Sequence, residues 1–321
     1  MDDRRSARRY RPGTRLLAGR ASRRRWSARP HHRRRRRLAL AGVAAPAFAV
    51  AMAVAGGGRA VHLHPQAAAT GFLGRIRVLA GDGPGSFAAQ ARAAQDAAIT
   101  RTLSYTPYVR VAGAQHRELA LTFDDGPGPY TPAIVSVLKR EHAPATFFEV
   151  GVMERYFHAA TSEIVRAGWA IGDHTFSHAP MSRLSPRDQR LQLLWDAAVL
   201  GRYGAPFPRL FRPPYGVWSD RTLALLRRYR MLMVLWSADT ADYRRPGVAA
   251  IVAAALRGAH PGAIILLHDG GGDRSQTVAA LPRIIRVLRR RGYRLVTVPE
   301  LLLDNPAPAR QPIPTLSGEA G

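Results

Sequence analysis

Leu119-Ala-Leu-Thr-Phe-Asp-Asp-Gly-Pro127 is the stretch on which the fold turns. Five residues suited to a buried strand run into two adjacent carboxylates and then into Gly126-Pro127, a turn pair. The pattern reads as a short strand with two acids at its carboxyl end. It repeats outward along the chain. Candidate strands at 119–123, 145–150, 169–171, 209–211, 231–236, 263–267 and 294–298 alternate with helical patterns at 131–141, 186–203, 221–229 and 277–291. Thr131-Pro132 and Ser185-Pro186 each put a cap residue before a proline at the first helical position. Gly168 and Gly292 follow helical runs where a left-handed cap is wanted. Seven strands alternating with helices predict an α/β fold with a parallel sheet, open or closed into a barrel.

The residues that follow these strands carry the chemistry. Asp124 and Asp125 follow the first, Asp173, His174 and His178 the third, and Arg212 the fourth. Asp239 and Asp242 follow the fifth, and His268 and Asp269 the sixth. Loops at the carboxyl ends of parallel strands converge on one face, so these side chains are expected to share one site. His174-Thr-Phe-Ser-His178 has the spacing for two imidazoles to reach one ion, and a carboxylate from Asp124-Asp125 completes a set of two histidines and one carboxylate. Adjacent carboxylates divide the labour, one binding the cation and one free to take a proton from bound water. Phe-Asp-Asp-Gly-Pro is also an ordinary turn sequence, and the turn is what aims the acids. The chain has no cysteine, which excludes disulfides and thiolate ligands.

The 321 residues carry a net charge of +26, from 48 Lys+Arg against 22 Asp+Glu. Lys139 is the only lysine. Residues 1–37 hold sixteen arginines against Asp2 and Asp3 and read as a basic cytoplasmic tail. Residues 38–58 are uncharged and long enough to span a bilayer. They read as a signal anchor held by the positive-inside rule, or as a signal peptide cut after Ala55. The long basic region favours the anchor. The arginine block lacks interleaved aromatics beyond Tyr10 and Trp26, so no nucleic-acid partner is expected. Residues 59–115 read as a stem containing a short helix at 86–99, residues 116–303 as the catalytic domain, and residues 304–321, with four prolines, as a disordered tail.

Five motifs then acquire a common meaning. Thr122-Phe-Asp-Asp-Gly-Pro127, His174-Thr-Phe-Ser-His178, Arg212-Pro-Pro-Tyr-Gly216, Asp239-Thr-Ala-Asp-Tyr243 and Leu266-Leu-His268 resemble, in that order, the motifs of the NodB-homology polysaccharide deacetylases, carbohydrate esterase family four. The resemblance covers residues 116–303 and not the N-terminal third. It implies a distorted (β/α) barrel of about seven strands and the removal of N-acetyl groups from an extracellular polysaccharide built of peptidoglycan- or chitin-like units. It implies that Asp125, His174 and His178 bind a divalent metal, usually zinc, and that Asp124 is the general base, oriented by Arg212. The backbone N–H of Tyr215 is the implied oxyanion donor, His268 the implied general acid tuned by Asp242, and Leu266 and Tyr243 the walls of the acetyl pocket. Tyr243 stands where the family often has Trp, and Asp173 where it usually has Asn. Asp239 competes with Asp242 for the tuning role, and Asp173 is expected either to shift metal preference or to be solvated. The tract Asp269-Gly-Gly-Gly-Asp273 lacks the Lys-Ser/Thr of a phosphate loop and is expected to be a flexible rim.

The motifs do not separate amide from ester cleavage, so an O-acetyl xylan-type esterase is an alternative. A non-haem iron oxygenase shares the two-histidine, one-carboxylate set, but a free second Asp and a separate acid His suit hydrolysis. A catalytically inactive glycan-binding protein is disfavoured because every motif acid and base is present. Wall glycans are extracytoplasmic, so the expected location of the catalytic domain is outside a single membrane span.

Overall fold

The computed structural model describes residues 86–312. Strand β2 (Glu118–Gly126) is the longest in the sheet and has parallel partners on both sides: β8 (Ala263–His268) on one, and on the other β9 (Arg294–Leu295) at its start and β3 (Thr146–Glu149) along its later half. A strand enclosed in this way has no face to offer water, which accounts for its unbroken apolar run. Beyond β3 the sheet continues through β4 (Ala170–Asp173), β5 (Leu210–Phe211) and β6 (Leu232–Val234) to β1 (Tyr108–Val109). Beyond β8 lies β7 (Ala238–Asp239). All paired strands are parallel, and the sheet curls into a half-barrel with helices packed on it. An antiparallel bridge from Val111 to Ala263 ties the β1 edge to β8.

Alternation along β2 builds two cores. Leu119, Leu121 and Phe123 pack with Ile134 and Leu138 of α2 (Thr131–Arg140), Ile251 of α6 (Val248–Arg257) and Ile284 and Leu288 of α7 (Ser275–Arg290). Ala120, with Phe148 and Ile264, packs instead with Ile99 of α1 (Phe87–Leu103) and Leu301 and Leu302 of α8 (Val298–Asp304). Each fully buried Leu, Ile or Phe in these layers contributes roughly 1.5–3 kcal/mol. The remaining helices are α3 (Glu154–Arg166), α4 (Pro186–Arg202) and α5 (Asp220–Tyr229).

Local signals are met unevenly. Ser185 caps α4 by accepting the Asp188 N–H, with Pro186 at the first helical position. Gly168 and Gly292 take the left-handed φ values expected of them, 73° and 79°. Thr131 does not cap α2. It lies inside the helix, and its hydroxyl accepts from the Gly128 N–H and donates to Asp269.

The described residues carry nine strands against the seven anticipated; β1 and β7 are two-residue strands without a period to read. The folded unit also extends past 116–303 on both sides. From the segment read as a stem, α1 buries Ala98 and Ile99 and β1 joins the sheet. From the segment read as a loose tail, Asn305 and Gln311 are buried, and Gln311 accepts the backbone N–H groups of Arg110 and Val111. The basic tail at 1–37 and the membrane segment at 38–58 lie outside the described residues. Among the described residues no helix is long and apolar enough to cross a membrane.

Candidate active site

At the carboxyl end of β2 the strand breaks. Asp125 adopts φ 70°, and the β2–β3 register shifts between Asp124 and Gly126. Neighbouring side chains on an extended strand point to opposite faces, whereas this bulge turns both carboxylates into one cleft. The left-handed conformation disfavours a residue with a β-carbon, and positive φ recurs at Thr175, His178 and Tyr215. Four such residues in three motif loops mark backbone strained where side chains must be aimed.

Asp124 is buried beside Arg212, whose guanidinium is fully enclosed. Arg212 donates from Nη1 to Asp124 Oδ1 at 2.6 Å and to Thr122 Oγ1 at 2.9 Å, and from Nε to the Val234 carbonyl at 3.0 Å. Its planar group lies 4.1 Å from the centre of the Phe148 ring. A buried cation held on several sides cannot swing away, so Asp124 is both neutralised and fixed in direction.

His174 and His178 leave β4 on an irregular loop, not a helical turn. The His174 ring donates from Nδ1 to the Arg212 carbonyl at 2.7 Å, which fixes its tautomer and leaves Nε2 as a lone-pair donor. That Nε2 lies 3.5 Å from Asp125 Oδ1, and His178 Nε2 lies 3.0 Å from the same oxygen. Burial works against ionisation of Asp125, but the neighbouring His174 and His178 hold its pKa well below the usual carboxylate range. One ligand atom from each of Asp125, His174 and His178 lies within 4.8 Å of the others. Two imidazole nitrogens and one carboxylate oxygen, with His174 oriented from behind, fit a divalent cation.

On the other side of the cleft His268 ends β8 directly opposite Asp124 in register. Its Nδ1 donates to Asp242 Oδ1 at 2.7 Å, and its backbone N–H donates to Asp242 Oδ2 at 2.9 Å. Thr277 donates to the same Oδ2 at 2.7 Å. Burial favours the neutral imidazole, but the hydrogen bond and charge of Asp242, with the more distant Asp124 and Asp125, push the His268 pKa up to about 9. Of the two carboxylates, Asp242 is the one that contacts the imidazole. Asp239 is exposed and accepts the Ala241 N–H, whereas Asp242 holds the imidazole. Tyr243 sets its ring edge-on to His268 at 5.3 Å. Tyr215, 60% exposed, and the buried Leu266 line the same cleft, which has a volume of about 1040 Å³.

Three expectations are corrected here. Asp173, next to His174 in the chain, is not solvated. It is fully buried, accepts the Thr175 N–H, and has its pKa pushed up to about 8 by burial. Glu149, Glu154 and Asp196 are buried in the same region, and burial raises each of them. No sequence pattern marks these carboxyls, because they come from separate elements. The glycine tract is not merely a rim: a β-carbon at Gly270 would collide with the Asp125 carbonyl, so this glycine permits the bulge that aims the acids. Arg110, in the segment read as a stem, also lines the cleft.

A curled parallel half-barrel whose strand ends present this set of groups is a hydrolase scaffold, and comparison with known proteins agrees. Residues 112–234 match the polysaccharide deacetylase family. A peptidoglycan-N-acetylglucosamine deacetylase of Bacillus cereus is 41% identical over 188 residues, spanning 57% of this chain and 87% of the relative. A chitooligosaccharide deacetylase of Bradyrhizobium is 38% identical over 199 residues, spanning 58% of this chain and 90% of the relative. Among solved structures, a peptidoglycan N-acetylglucosamine deacetylase in complex with 4-naphthalen-1-yl-N-oxidanyl-benzamide superposes with a TM-score of 0.60 at 32% identity, covering 62% of this chain and 94% of the other. The chain belongs to the polysaccharide deacetylase family.

Proposed function

We propose that this protein is a metal-dependent hydrolase that removes N-acetyl groups from an extracytoplasmic polysaccharide of N-acetylglucosamine or N-acetylmuramic units. One observation carries the reading. Asp124, locked by Arg212, stands beside the Asp125–His174–His178 set and opposite the Asp242-bound His268 across a single cleft. Hydrolysis of an acetamide needs a base for the water and an acid for the departing amine, and these are the two sides of that cleft.

Asp125, His174 and His178 would hold the metal. A divalent ion held there would supply Lewis-acid polarisation and acidify water. Asp124 accepts a proton from the water whose oxygen attacks the acetamide carbon. Arg212 pairs with Asp124 and keeps it aimed. The backbone N–H of Tyr215 donates to the oxygen on which charge develops. His268 passes its proton to the nitrogen as the carbon–nitrogen bond breaks, leaving acetate and a free amine. Asp242 keeps His268 protonated for that step. Leu266 and Tyr243 enclose the acetyl methyl.

The basic block at 1–37 before the uncharged 38–58 supports export, with the catalytic domain outside the cytoplasm. The test is acetate release from N-acetylglucosamine oligomers and from peptidoglycan strands, with O-acetyl xylan alongside. Release from the N-acetylated substrates is expected. Release from the ester alone would reassign the chain as an esterase, and release from none would refute a hydrolytic role.

A further inference from the structure

The cleft carries more positive charge than a neutral sugar requires. Arg110, Arg244 and Arg274 all line it, and among the described residues none of the three forms an ion pair with a carboxylate. Arg274 donates to the carbonyls of Gly270 and Asp273, which accept hydrogen bonds without cancelling its charge. Of the acids in the same lining, Asp124 is neutralised by Arg212 and Asp125 belongs to the ligand set, leaving Asp239 alone to oppose three guanidinium groups.

Arg110 is placed there by the fold. Strand β1 pairs Val109 with Val234 of β6, and Val109 accepts the Leu235 N–H at 2.7 Å. Arg110 therefore emerges at the carboxyl end of its strand, beside Trp236, on the face where the other strand-end residues converge. Gln311 grips the backbone on either side of it, accepting from Arg110 N–H at 2.8 Å and from Val111 N–H at 3.1 Å, while Tyr108 donates to the Gln311 carbonyl at 2.5 Å. The segment is clamped between β6 and Gln311, yet the guanidinium it presents has no partner carboxylate among the described residues.

We propose that the cleft selects an acidic glycan, a strand bearing carboxylates on sugars close to the acetamido group, and that Arg110 is the specificity-determining residue that receives one of them. This rests on the deacetylase reading and deepens it. A guanidinium and a carboxylate make a charge-assisted pair that a hydroxyl of a neutral sugar does not match. Arg244 and Arg274 add a positive field along the groove that draws in a polyanion.

The experiment compares one strand in two forms: peptidoglycan glycan strands stripped of peptide by an amidase, and the same strands with their sugar carboxylates converted to methylamides. Acetate release from the wild-type chain gives kcat/KM for each. The acidic form is expected to be favoured by about tenfold, the scale of a hydrogen bond to a charged group, mostly through KM. The preference should shrink as salt is raised. Arg110→Ala should lose roughly that factor on the acidic strand beyond whatever it loses on the amidated one, and Arg110→Lys should restore part of it. Strands that retain their peptides distinguish peptide carboxylates from sugar carboxylates; a preference seen only with peptide present would overturn the assignment to the sugar. Equal kcat/KM on both forms, or an equal loss in Arg110→Ala on both, would overturn this inference and leave the deacetylase reading intact. Absence of acetate from every strand would overturn both.

Discussion

Replacing Asp242 with Asn removes one charge from behind His268 and changes little else in volume. In the native site Asp242 takes three hydrogen bonds, from His268 Nδ1, His268 N and Thr277 Oγ1. An asparagine oxygen still accepts, but the amide carries no charge and cannot hold an imidazolium. The His268 pKa, about 9 against an ordinary 6.5, should fall to 6.5 or below, because burial is then unopposed by its largest favourable partner. That difference is roughly 3 kcal/mol between the two protonation states. At pH 8 a group with a pKa near 9 is roughly 90% protonated, and one near 6.5 roughly 3%, so the variant should lose about thirtyfold in activity at that pH and far less at pH 6. The sign follows from the role: a general acid works below its pKa, so the alkaline limb of kcat/KM moves down. A cation on Asp125 cancels that carboxylate's pull on His268 and lowers the limb in both proteins, so the shift between them is the diagnostic quantity. The assay is acetate release across pH 5–10, with thermal melts confirming that both proteins are folded. Asp239→Asn, which does not touch the imidazole, should move the limb far less. An alkaline limb in Asp242→Asn within about half a unit of wild type would refute the pairing as the source of the acid.

His174→Ala and His178→Ala should each lose bound metal by elemental analysis, since each removes one of three protein ligands, and zinc or cobalt should restore chelated wild-type enzyme. Asp124→Asn should keep its metal and lose at least about a hundredfold in turnover, the scale of a missing general base; a stripped metal site there with a loaded one in Asp125→Asn would exchange the two roles. A chain beginning at residue 116 removes α1, β1 and Arg110, and should melt roughly 10 °C lower or fail to fold, as read by circular dichroism. Protease added to intact spheroplasts should digest the catalytic domain if residues 38–58 anchor it, or a shortened form should appear in the medium if they are cleaved; a domain protected until lysis would defeat export.

What could be read from the residues in order was the alternation of apolar runs with helical patterns, and the polar residues at the run ends. That is local information: strand 119–123 declares its burial through its own composition, and His174-x3-His178 declares a ligand pair through its own spacing. Tertiary structure decided what depends on neighbours distant in sequence. Asp239 and Asp242 are three residues apart and chemically alike, and only packing against β8 and Thr277 gives His268 to the second. Arg212 can be placed at a strand end from the sequence, but its complete burial and its bonds to Asp124, Thr122 and the Val234 carbonyl come only from the packed sheet. The short β1 has no period of its own; it exists because β6 offers an open edge and Gln311 pins the far side, and through it Arg110 enters the cleft from a segment that reads as a linker. Short edge strands and buried polar contacts gain their free energy from partners supplied by the rest of the chain, so a linear reading of the sequence does not see them.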